Sequence, residues 1–342
     1  MSFAAGDPGD PGGTGSAPTA RRWQQIDPLL PAPGFTHGAA PGTASPHCGA
    51  ELAVAGPDGR LTAAARCDHW VGAPGSLDLS WGAPRRFQLT ALVADHAVAD
   101  GLDRLLSLWR DHLADVPGAG DADTAAVVNW PSRDADGIAA LLRHGLAPLE
   151  VLAARSTPRP APGRAQALIP NEPVLRAGSL ARIRRAGPAD LGTVARLGVE
   201  IIRWDSRFGA VHERADTLDA MRREVAGLLA DPVPWTWLAE HERAAVGMLA
   251  AQRPRAAGWI TPMAGLAPAA YLMMMFVEPG SRGAGIGAAL VGEFHRAVAE
   301  AGVAVTLLHH EQLNPLSAPF WNRHGYRPLW TTWQATPARA IR

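Results

Sequence analysis

The 342-residue sequence contains no lysine, so all 32 of its basic residues are arginine. Without lysine, a nucleotide-binding P-loop that ends in Gly-Lys-Ser/Thr cannot occur. The arginines are balanced by 32 acidic residues, and the formal net charge at pH 7 is zero. This balance argues against a large surface for nucleic acids or for anionic membranes.

Cysteine and long apolar runs are also scarce. Two cysteines in 342 residues exclude a disulfide-based scaffold. No apolar run approaches the roughly 20 residues that a membrane-spanning helix needs. The N-terminal residues show neither the basic start nor the apolar segment of a secretory signal. We therefore expect a soluble, cytoplasmic protein.

The two cysteines flank a predicted hairpin, with strands at 52–55 and 60–65 around the turn Gly-Pro-Asp-Gly at 56–59. Pairing symmetric about that turn predicts Cys48 opposite Cys67. Together with His47 and His69 they are four potential zinc ligands. Because the CxxC spacing is missing, we favour a pair of buried thiols and expect no metal.

The composition provides enough apolar material for two cores, with 47% hydrophobic and 19% charged residues. At roughly 150 residues per domain, the length predicts two domains. Residues 1–22 are of low complexity, and we expect them to form a disordered tail. A proline-rich stretch at 156–178 predicts a linker. It separates a first domain at 23–155 from a second at 179–336.

The second domain shows a regular succession of predicted elements in the order β-α-α-β-β-β-α-β-α-β, which is typical of the α+β class. The predicted strands are 181–184, 235–240, 244–252, 271–277, 303–309 and 326–334. The predicted helices are 188–203, 216–229, 283–301 and 315–324.

The first domain repeats the later part of this pattern. It has a predicted strand at 87–93, a helix at 102–113 and a strand at 125–129. Arg143-His144-Gly145 matches Arg323-His324-Gly325 at an offset of 180 residues, and Asn129 precedes Asn314 by 185. We interpret these offsets as a duplication whose first copy lacks room for both early helices.

The strongest signal for a binding site is Val-Glu-Pro-Gly-Ser-Arg-Gly-Ala-Gly-Ile-Gly at 277–287, which follows an apolar strand and opens a helix. Its glycines leave little side-chain bulk, so backbone N–H groups can converge on an anion at the helix N-terminus. Arg282 adds a permanent positive charge. The segment therefore predicts a pyrophosphate site. A dinucleotide fold would place a different glycine spacing at the start of a βαβ unit.

Two motifs resemble those of the GNAT acetyltransferase superfamily. Residues 277–287 resemble its acetyl-CoA motif V-x-P-x-x-R-G-x-G-x-G/A, and residues 314–326 resemble N-x-x-A-x-x-F-Y-x-x-x-G-F/Y. The resemblance covers 181–336 well and 50–155 weakly. It implies tandem GNAT-like domains, each a mixed, mostly antiparallel sheet with flanking helices, of which the N-terminal copy is degenerate.

The same resemblance implies acetyl transfer from acetyl-CoA to an amine, by direct attack in a ternary complex. Backbone groups at 275–277 would pair with the pantetheine, the amides at 282–288 would hold the pyrophosphate, and two later side chains would line the far wall. The implied cofactor-binding residues are Met275, Phe276, Val277, Arg282, Gly283, Ala284, Gly285, Ile286, Gly287, Ala288, Asn314 and Phe320.

One position departs from the family pattern. Trp321 stands where the family often has a tyrosine that can protonate the leaving thiolate, and an indole N–H has negligible acidity. Because a thiol pKa is about 8.5, unassisted departure of the thiolate is plausible near neutral pH.

An alkylammonium acceptor with a pKa of about 10.4 must lose a proton before it attacks, so a base is useful. The candidate bases are Glu278, His309, His310 and Glu311, and we select His310 and Glu278 as catalytic residues. Strand alternation predicts that His309 and His310 lie on opposite faces. Taken singly, each candidate is better explained as a structural or surface residue than as a catalytic one. Tyr271, at the start of the central strand, is a further possibility.

The segment 203–213 joins the first two helices of the second domain, and in the family this region walls the acceptor site. We predict that Asp205 receives an ammonium group, as Glu213 also could, and that Trp204 and Phe208 pack on the rest of the acceptor. A solvated loop with two anchoring aromatic residues is the equal alternative.

His96-Ala-Val-Ala-Asp100-Gly101 matches the H-x-x-x-D-G string of another class of CoA-dependent acyltransferases. That class needs a larger scaffold, and the string lies where the first copy should carry its pyrophosphate turn. We interpret the match as coincidence and predict that this copy binds no CoA.

We expect the acceptor to be a small-molecule amine. We expect neither nucleic acid nor membrane as a partner, and the sequence leaves open whether the protein forms a homodimer. A protein amine is an alternative acceptor. From a different class, the chain could be a regulatory module that binds acyl-CoA without turnover, which Trp321 favours.

Overall fold

The computed structural model describes residues 22–32, 50–158 and 181–342. The predicted tail at 1–22 lies almost wholly outside the described residues, and so do Cys48 and most of the predicted linker at 156–178. Ser156, the first residue of that predicted linker, instead ends a strand.

All strands of the described residues form one eleven-stranded sheet in the order β1-β2-β3-β4-β11-β5-β10-β9-β8-β7-β6. Only β3–β4 and β9–β10 are parallel pairs, so the predicted mixed, mostly antiparallel sheet is confirmed. The strands are β1 (Ala50–Ala55), β2 (Leu61–Val71), β3 (Arg85–Val93), β4 (Thr124–Pro131), β5 (Ala147–Ser156), β6 (Arg182–Arg185), β7 (Thr236–His241), β8 (Ala244–Gln252), β9 (Ala269–Val277), β10 (Val305–Glu311) and β11 (Arg327–Ala335).

The two halves of the chain repeat one order of elements. Each has three antiparallel strands, a long helix, a parallel strand, a short helix and a last strand. In the first half the helices are α1 (Val98–Asp115) and α2 (Ala135–Arg143). The second half begins with β6, α3 (Leu191–Asp205) and α4 (Thr217–Leu229), and its later helices are α5 (Ile286–Glu300) and α6 (Ser317–Arg323). Before β1, the described residues of the first half contain one short helix at 22–26.

The last strands of the two halves are exchanged. β11 lies between β4 and β5 of the first half, and β5 lies between β11 and β10 of the second. In the central pair, Val151 faces Thr331, which follows it by 180 positions. The same offset relates Gly145 to Gly325, whose φ angles are +78° and +82°. This agreement supports duplication and puts an approximate two-fold axis between β5 and β11.

The long helices form for the same reason in both halves. In α1, Leu102, Leu105, Leu106, Trp109 and Leu113 recur at helical spacing and are all buried against the sheet. In α5 the buried stripe is Leu290, Val291, Phe294, Ala297 and Val298. Each stripe packs into a separate hydrophobic core together with the strands of its half.

The contacts of two terminal segments do not follow the predicted domain boundaries. Trp23 lies edge-on to Trp330, with ring centroids 5.2 Å apart, and Asp27 accepts two hydrogen bonds from Arg327, so residues 22–30 pack on the centre of the sheet. At the other end, Ile341 is buried in the core of the first half, beyond the predicted domain end at 336.

The register of the first hairpin differs from the prediction. Cys67 pairs with Ala50, not with Cys48, because the turn closes with a hydrogen bond from the N–H of Gly56 to the carbonyl of Arg60 and a bulge follows at 54–55. Cys67 is buried, and Cys48 lies outside the described residues.

The helix predicted from residue 283 begins at Ile286, because Gly283 and Gly285 adopt positive φ angles that a helix cannot contain. Helix α2 and strand β5 had no predicted counterpart. The Asp134 side chain caps α2 by accepting a hydrogen bond from the N–H of Gly137 at 3.4 Å. An aspartate just before an apolar run is a local sequence signal for the start of a helix.

Candidate active site

A cleft of about 1120 Å³ opens between the two halves of the molecule. β9 and β10 pair only from Ala269 to Leu272 and from Val305 to Leu308. Beyond these residues the two strands separate, so backbone groups of β9 from Met273 onward have no partner strand on the side of β10. The register with β8 also shifts next to Met273, which is an extra residue in β9. The result is a wedge-shaped opening lined on one side by backbone N–H and C=O groups.

The turn that follows β9 forms the mouth of the cleft. Gly283 and Gly285 have φ angles of +80° and +86°, a left-handed conformation that favours glycine. No side chain caps the start of α5, so the first N–H groups of this 15-residue helix have no side-chain acceptor. Ile286, Gly287 and Ala288 line the cleft at this point. Convergent N–H groups at a helix N-terminus attract an anion such as a pyrophosphate.

Arg282 lies next to these N–H groups. Its Nε donates to the carbonyl of Val277 at 3.0 Å, and its guanidinium stacks on Trp204, 4.4 Å from the ring centroid. The charge is thus held at the mouth of the cleft and faces no carboxylate at ion-pair distance among the described residues.

Helix α6 forms the opposite wall. A Cβ at Gly287 would lie 3.2 Å from Phe320, so glycine allows this ring to pack directly on the start of α5. Asn314, just before α6, accepts the N–H of Leu316 and donates its Nδ2 to Asp205 at 3.0 Å. Asn314 therefore orients Asp205 as well as lining the cleft.

Three carboxylates meet deep in the cleft. Because β5 pairs with β10, Glu150 of the first half stands opposite Glu311 of the second, and Asp205 extends from the end of α3. Burial, together with the charges of Glu150 and Asp205, raises the pKa of Glu311 well above its usual range. Burial likewise raises the pKa of Asp205 to about 6, against the hydrogen bond from Asn314. Glu311 is 7% exposed, and its Oε2 has no hydrogen-bond partner among the described residues.

Two histidines of β10 line the same cleft. The ring Nδ1 of His310 lies 3.1 Å from the carbonyl oxygen of Glu311 and must donate to it, so Nε2 carries the free lone pair. Burial lowers the pKa of His310, which keeps its ring neutral at neutral pH. His309 Nδ1 lies 2.9 Å from the hydroxyl of Tyr271. Burial raises the pKa of Tyr271, so this hydroxyl keeps its proton.

Most of the residues predicted for the site come together, and three do not. Glu278 is outside the cleft and pairs with Arg196 at 3.2 Å, because it follows the last residue of β9 and turns to the surface. Phe208 does not line the cleft but lies 5.9 Å from Trp204, which does. Ala284 packs against the core next to α5.

The sequence did not indicate Glu150, and it indicated Glu311 only as one of four candidate bases, of which His310 and Glu278 were selected. Glu150 carries no local signal, because only the pairing of β5 with β10 brings it to the site. The sequence likewise did not indicate Asp78, Arg86 and Glu224, which line the cleft from the first half and from α4.

Trp321 is buried and packs against Phe320 and Tyr326, with ring centroids 4.9 and 5.4 Å away. The hydroxyl of Tyr326 is already engaged by His295 and Thr306, at 3.1 and 3.2 Å. Within the part of the chain that the structure describes, Tyr271 is therefore the tyrosine that lines the cleft.

The family model of the acetyltransferase (GNAT) domain matches residues 234–328. This part of the chain is a GNAT acetyltransferase domain. The match contains the turn at 282–287 and the wall formed by α6. The matched residues therefore include the turn at the mouth of the cleft, whereas Glu150 and Arg86 lie outside the match.

Solved structures share the fold. A GCN5-related N-acetyltransferase from Sphaerobacter thermophilus is 17% identical, with 84% of this chain and 81% of that chain covered and a TM-score of 0.51. A tandem GNAT protein from the clavulanic acid biosynthesis pathway is 15% identical over 92% of this chain and 94% of its own, with a TM-score of 0.39. A GCN5-related N-acetyltransferase from Ralstonia eutropha is 25% identical over 43% of this chain and 93% of its own, with a TM-score of 0.34. The first of these shares its fold with 84% of this chain.

None of the curated proteins compared with the chain matches it. Among the described residues, no helix is long and apolar enough to span a membrane. The same residues contain no group of three or more histidine, cysteine or acidic side chains arranged to hold a metal ion.

Proposed function

We propose that the chain transfers the acetyl group of acetyl-CoA to the amine of a small molecule, by direct attack within a ternary complex. The observation that carries the proposal is the continuity of one cleft. An anion-binding turn at its mouth leads through the wedge between β9 and β10 to a cluster of carboxylates and a neutral histidine.

In this proposal acetyl-CoA would lie with its pyrophosphate at the mouth of the cleft and its thioester deep inside. The pyrophosphate would meet the N–H groups from Arg282 to Ala288, and the pantetheine would pair with those backbone groups of Met275, Phe276 and Val277 that face the wedge. Its thioester would then reach the level of Met273, where the two strands separate. Phe320 and Asn314 would cover the cofactor from the side of α6.

The acceptor amine enters as an ammonium ion, for which Asp205 is the proposed carboxylate partner, with Trp204 lining the same cleft. His310 is the proposed general base, because its Nε2 is free and its ring is neutral. His310 takes one proton from the ammonium ion, and the neutral amine nitrogen then attacks the thioester carbonyl. The C–S bond breaks as the nitrogen loses a second proton, which balances the proton given to the thiolate. Tyr271, hydrogen-bonded to His309, is the proposed proton donor to the thiolate, and Glu278 receives no role.

A second candidate is a module that binds acyl-CoA without turnover. Trp321 favours it, since this buried indole cannot protonate a thiolate at the position where the family often has a tyrosine. The presence of His310 and Tyr271 in the same cleft favours catalysis.

The two candidates differ in the release of free CoA thiol from acetyl-CoA in the presence of amines. We expect release with at least one alkylamine, and we expect His310→Gln to lower kcat by about 10²-fold or more, the usual contribution of a general base. His96→Gln is the matched control, because His96 is exposed and outside the cleft. Binding of acetyl-CoA without thiol release would favour the regulatory module, and loss of activity in His96→Gln would support the H-x-x-x-D-G class.

A further inference from the structure

The sequence contains two tyrosines, and the hydroxyl of each lies beside a histidine ring. Tyr326 is outside the cleft, and its hydroxyl is engaged by His295 and Thr306 at 3.1 and 3.2 Å. Tyr271 lines the cleft, and its hydroxyl lies 2.9 Å from Nδ1 of His309, which also lines the cleft. The pair of Tyr271 and His309 is therefore the one that can meet a substrate.

The ring of Tyr271 is held in place by its neighbours. Trp259 lies edge-on to it, with ring centroids 5.0 Å apart, and Trp259 Nε1 donates to Oε1 of Gln252 at 2.8 Å. Gln252 faces Tyr271 across β8 and β9, and its Nε2 lies 3.9 Å from Sδ of Met273. Because Met273 is the extra residue of β9, at whose level the proposed thioester lies, these contacts fix Tyr271 relative to the reacting group.

His309 lies on the acceptor side of the sheet. Strand alternation places His309 and Glu311 on one face of β10 and His310 on the other. The carboxylate of Asp205, the proposed partner of the ammonium ion, acts on Glu311 and so lies near this face. His309 Nε2 forms no hydrogen bond with any described residue, whereas Nδ1 contacts the Tyr271 hydroxyl. The ring can therefore take a proton at Nε2 and give one at Nδ1.

Tyr271 needs such a partner because it is buried. Burial raises the pKa of its hydroxyl, and the charge of Glu150 raises it further. A tyrosinate without a counter-charge in this position would be unfavourable. The hydroxyl can therefore protonate a thiolate only if another proton replaces its own in the same step.

We propose that His309 and Tyr271 form a relay that carries the second proton of the attacking amine to the leaving thiolate. This inference rests on the proposed acetyl transfer and gives His309 a catalytic role in it. As the C–S bond breaks, the amine nitrogen gives its proton to His309 Nε2. The Nδ1 proton of the same ring passes to the Tyr271 oxygen, and the Tyr271 hydroxyl proton passes to the sulfur.

The relay leaves every group neutral. The products are the amide and the CoA thiol, and the His309 ring carries its proton on Nε2 instead of Nδ1. Exchange with water after product release restores the first tautomer. Neither a buried tyrosinate nor a free thiolate forms along this path.

Tyr271→Phe and His309→Gln interrupt the relay at its two members. With acetyl-CoA and the alkylamine that gives the fastest thiol release, we expect each variant to lower kcat by about 10²-fold, as is usual for a proton transfer by a side chain. We expect the double variant to be no slower than the slower single variant, because the members of one relay act as a unit. Losses that multiply in the double variant would overturn the relay.

Tyr326→Phe is the matched control, because it removes the other tyrosine hydroxyl and its contact with a histidine outside the cleft. We expect it to keep the kcat of the parent, and we expect all variants to bind CoA as the parent does in calorimetry. Thiol release at the parent rate in both Tyr271→Phe and His309→Gln would overturn the relay and leave acetyl transfer intact. A parent that releases no thiol with any alkylamine would contradict both proposals.

A second acetyl donor separates proton transfer from a structural effect of the substitution. The thiolate of 4-nitrothiophenol is stabilised by its nitro group and leaves without a proton, whereas an alkylthiol has a pKa of about 8.5. With S-(4-nitrophenyl) thioacetate and the same alkylamine, we therefore expect Tyr271→Phe to approach the rate of the parent. An equal loss of rate with this donor and with acetyl-CoA would show that Tyr271 serves the structure of the site and would overturn the relay.

Discussion

Glu311 shows how the burial of a single carboxyl group makes the stability of the molecule depend on pH. A carboxyl that is buried beside two other carboxylates resists ionisation, so the folded state holds its proton more tightly than the unfolded state does. The stabilising effect is therefore fully present below the unfolded pKa of about 4.5 and is lost as the pH rises toward the folded value. In that window the molecule loses up to about 1.4 kcal/mol of stability per pH unit for this one proton.

Glu311→Gln removes that titration. We expect the variant to match the parent at pH 4 and to be more stable at pH 8 by at least about 1 kcal/mol, while acetyl transfer falls. Denaturant unfolding between pH 4 and pH 8 measures the difference. Asp219→Asn, an exposed carboxylate, should leave the pH dependence unchanged. Parallel stability curves for Glu311→Gln and the parent would show that Glu311 ionises normally.

At the scale of single elements, the backbone conformation of the turn before α5 determines which groups its first residues present to the cleft. Gly285 combines a left-handed backbone with a place directly before the first N–H groups of the helix. A side chain here is strained, and a negative one would repel a pyrophosphate.

We expect Gly285→Asp to weaken CoA binding by about a hundredfold or more, because one like charge near 4 Å costs several kcal/mol before screening. Isothermal titration with CoA measures this change. Gly280→Asp is the control, because it adds the same charge in the same segment, at a residue outside the cleft whose Cβ would meet open space. Equal CoA affinities for the two variants would contradict the assignment of the turn.

The corresponding turn of the first half is built differently. No residue between β3 and the first turn of α1 has a positive φ angle, and Val98, which aligns with Arg282 at the 184-residue offset of the two strands, is buried. Gly101 serves packing, since a Cβ there would lie 3.0 Å from Val93. Asp103 pairs with Arg143 and His144 at 3.0 and 3.3 Å. This turn therefore presents no converging N–H groups.

Titration of the full chain should accordingly give one CoA per molecule. A stoichiometry of two, with the second site lost after changes around Asp100, would show that the first half binds the cofactor as well.

At the scale of the whole molecule, the exchanged strands make the two halves interdependent. β11 is hydrogen-bonded to β4 and β5 of the first half, and Arg342 donates its N–H to the carbonyl of His144. Separating the halves would expose strand edges on both sides and break the apolar core that contains Trp333.

A protease site inserted between residues 158 and 181 tests this interdependence. After cleavage we expect the two fragments to remain associated in size-exclusion chromatography and to keep CoA binding, because the sheet is continuous across them. Fragments that elute separately and stay folded would contradict the strand exchange.

Local features of the second half could be predicted from the sequence by itself. Strand β8 was predicted with its observed ends, and most other elements of this half within about two residues, because helical and alternating periodicities are local properties of the chain. The glycine spacing at 283–287 likewise pointed to an anion site, since positive φ angles and bare N–H groups depend on the residues of the turn itself.

Only the tertiary structure decided which strands are neighbours. Every backbone offers the same N–H and C=O groups, so no sequence pattern shows that β5 pairs with β10 rather than with β4. That pairing brings Glu150 opposite Glu311, and the contact between the loop at 75–81 and α4 brings Asp78 near Glu224. The sequence alone determined the glycine-rich turn before α5, because its positive φ angles depend on the residues of the turn itself. The charge in the cleft depends on side chains from both halves, which only the packing of one continuous sheet brings together.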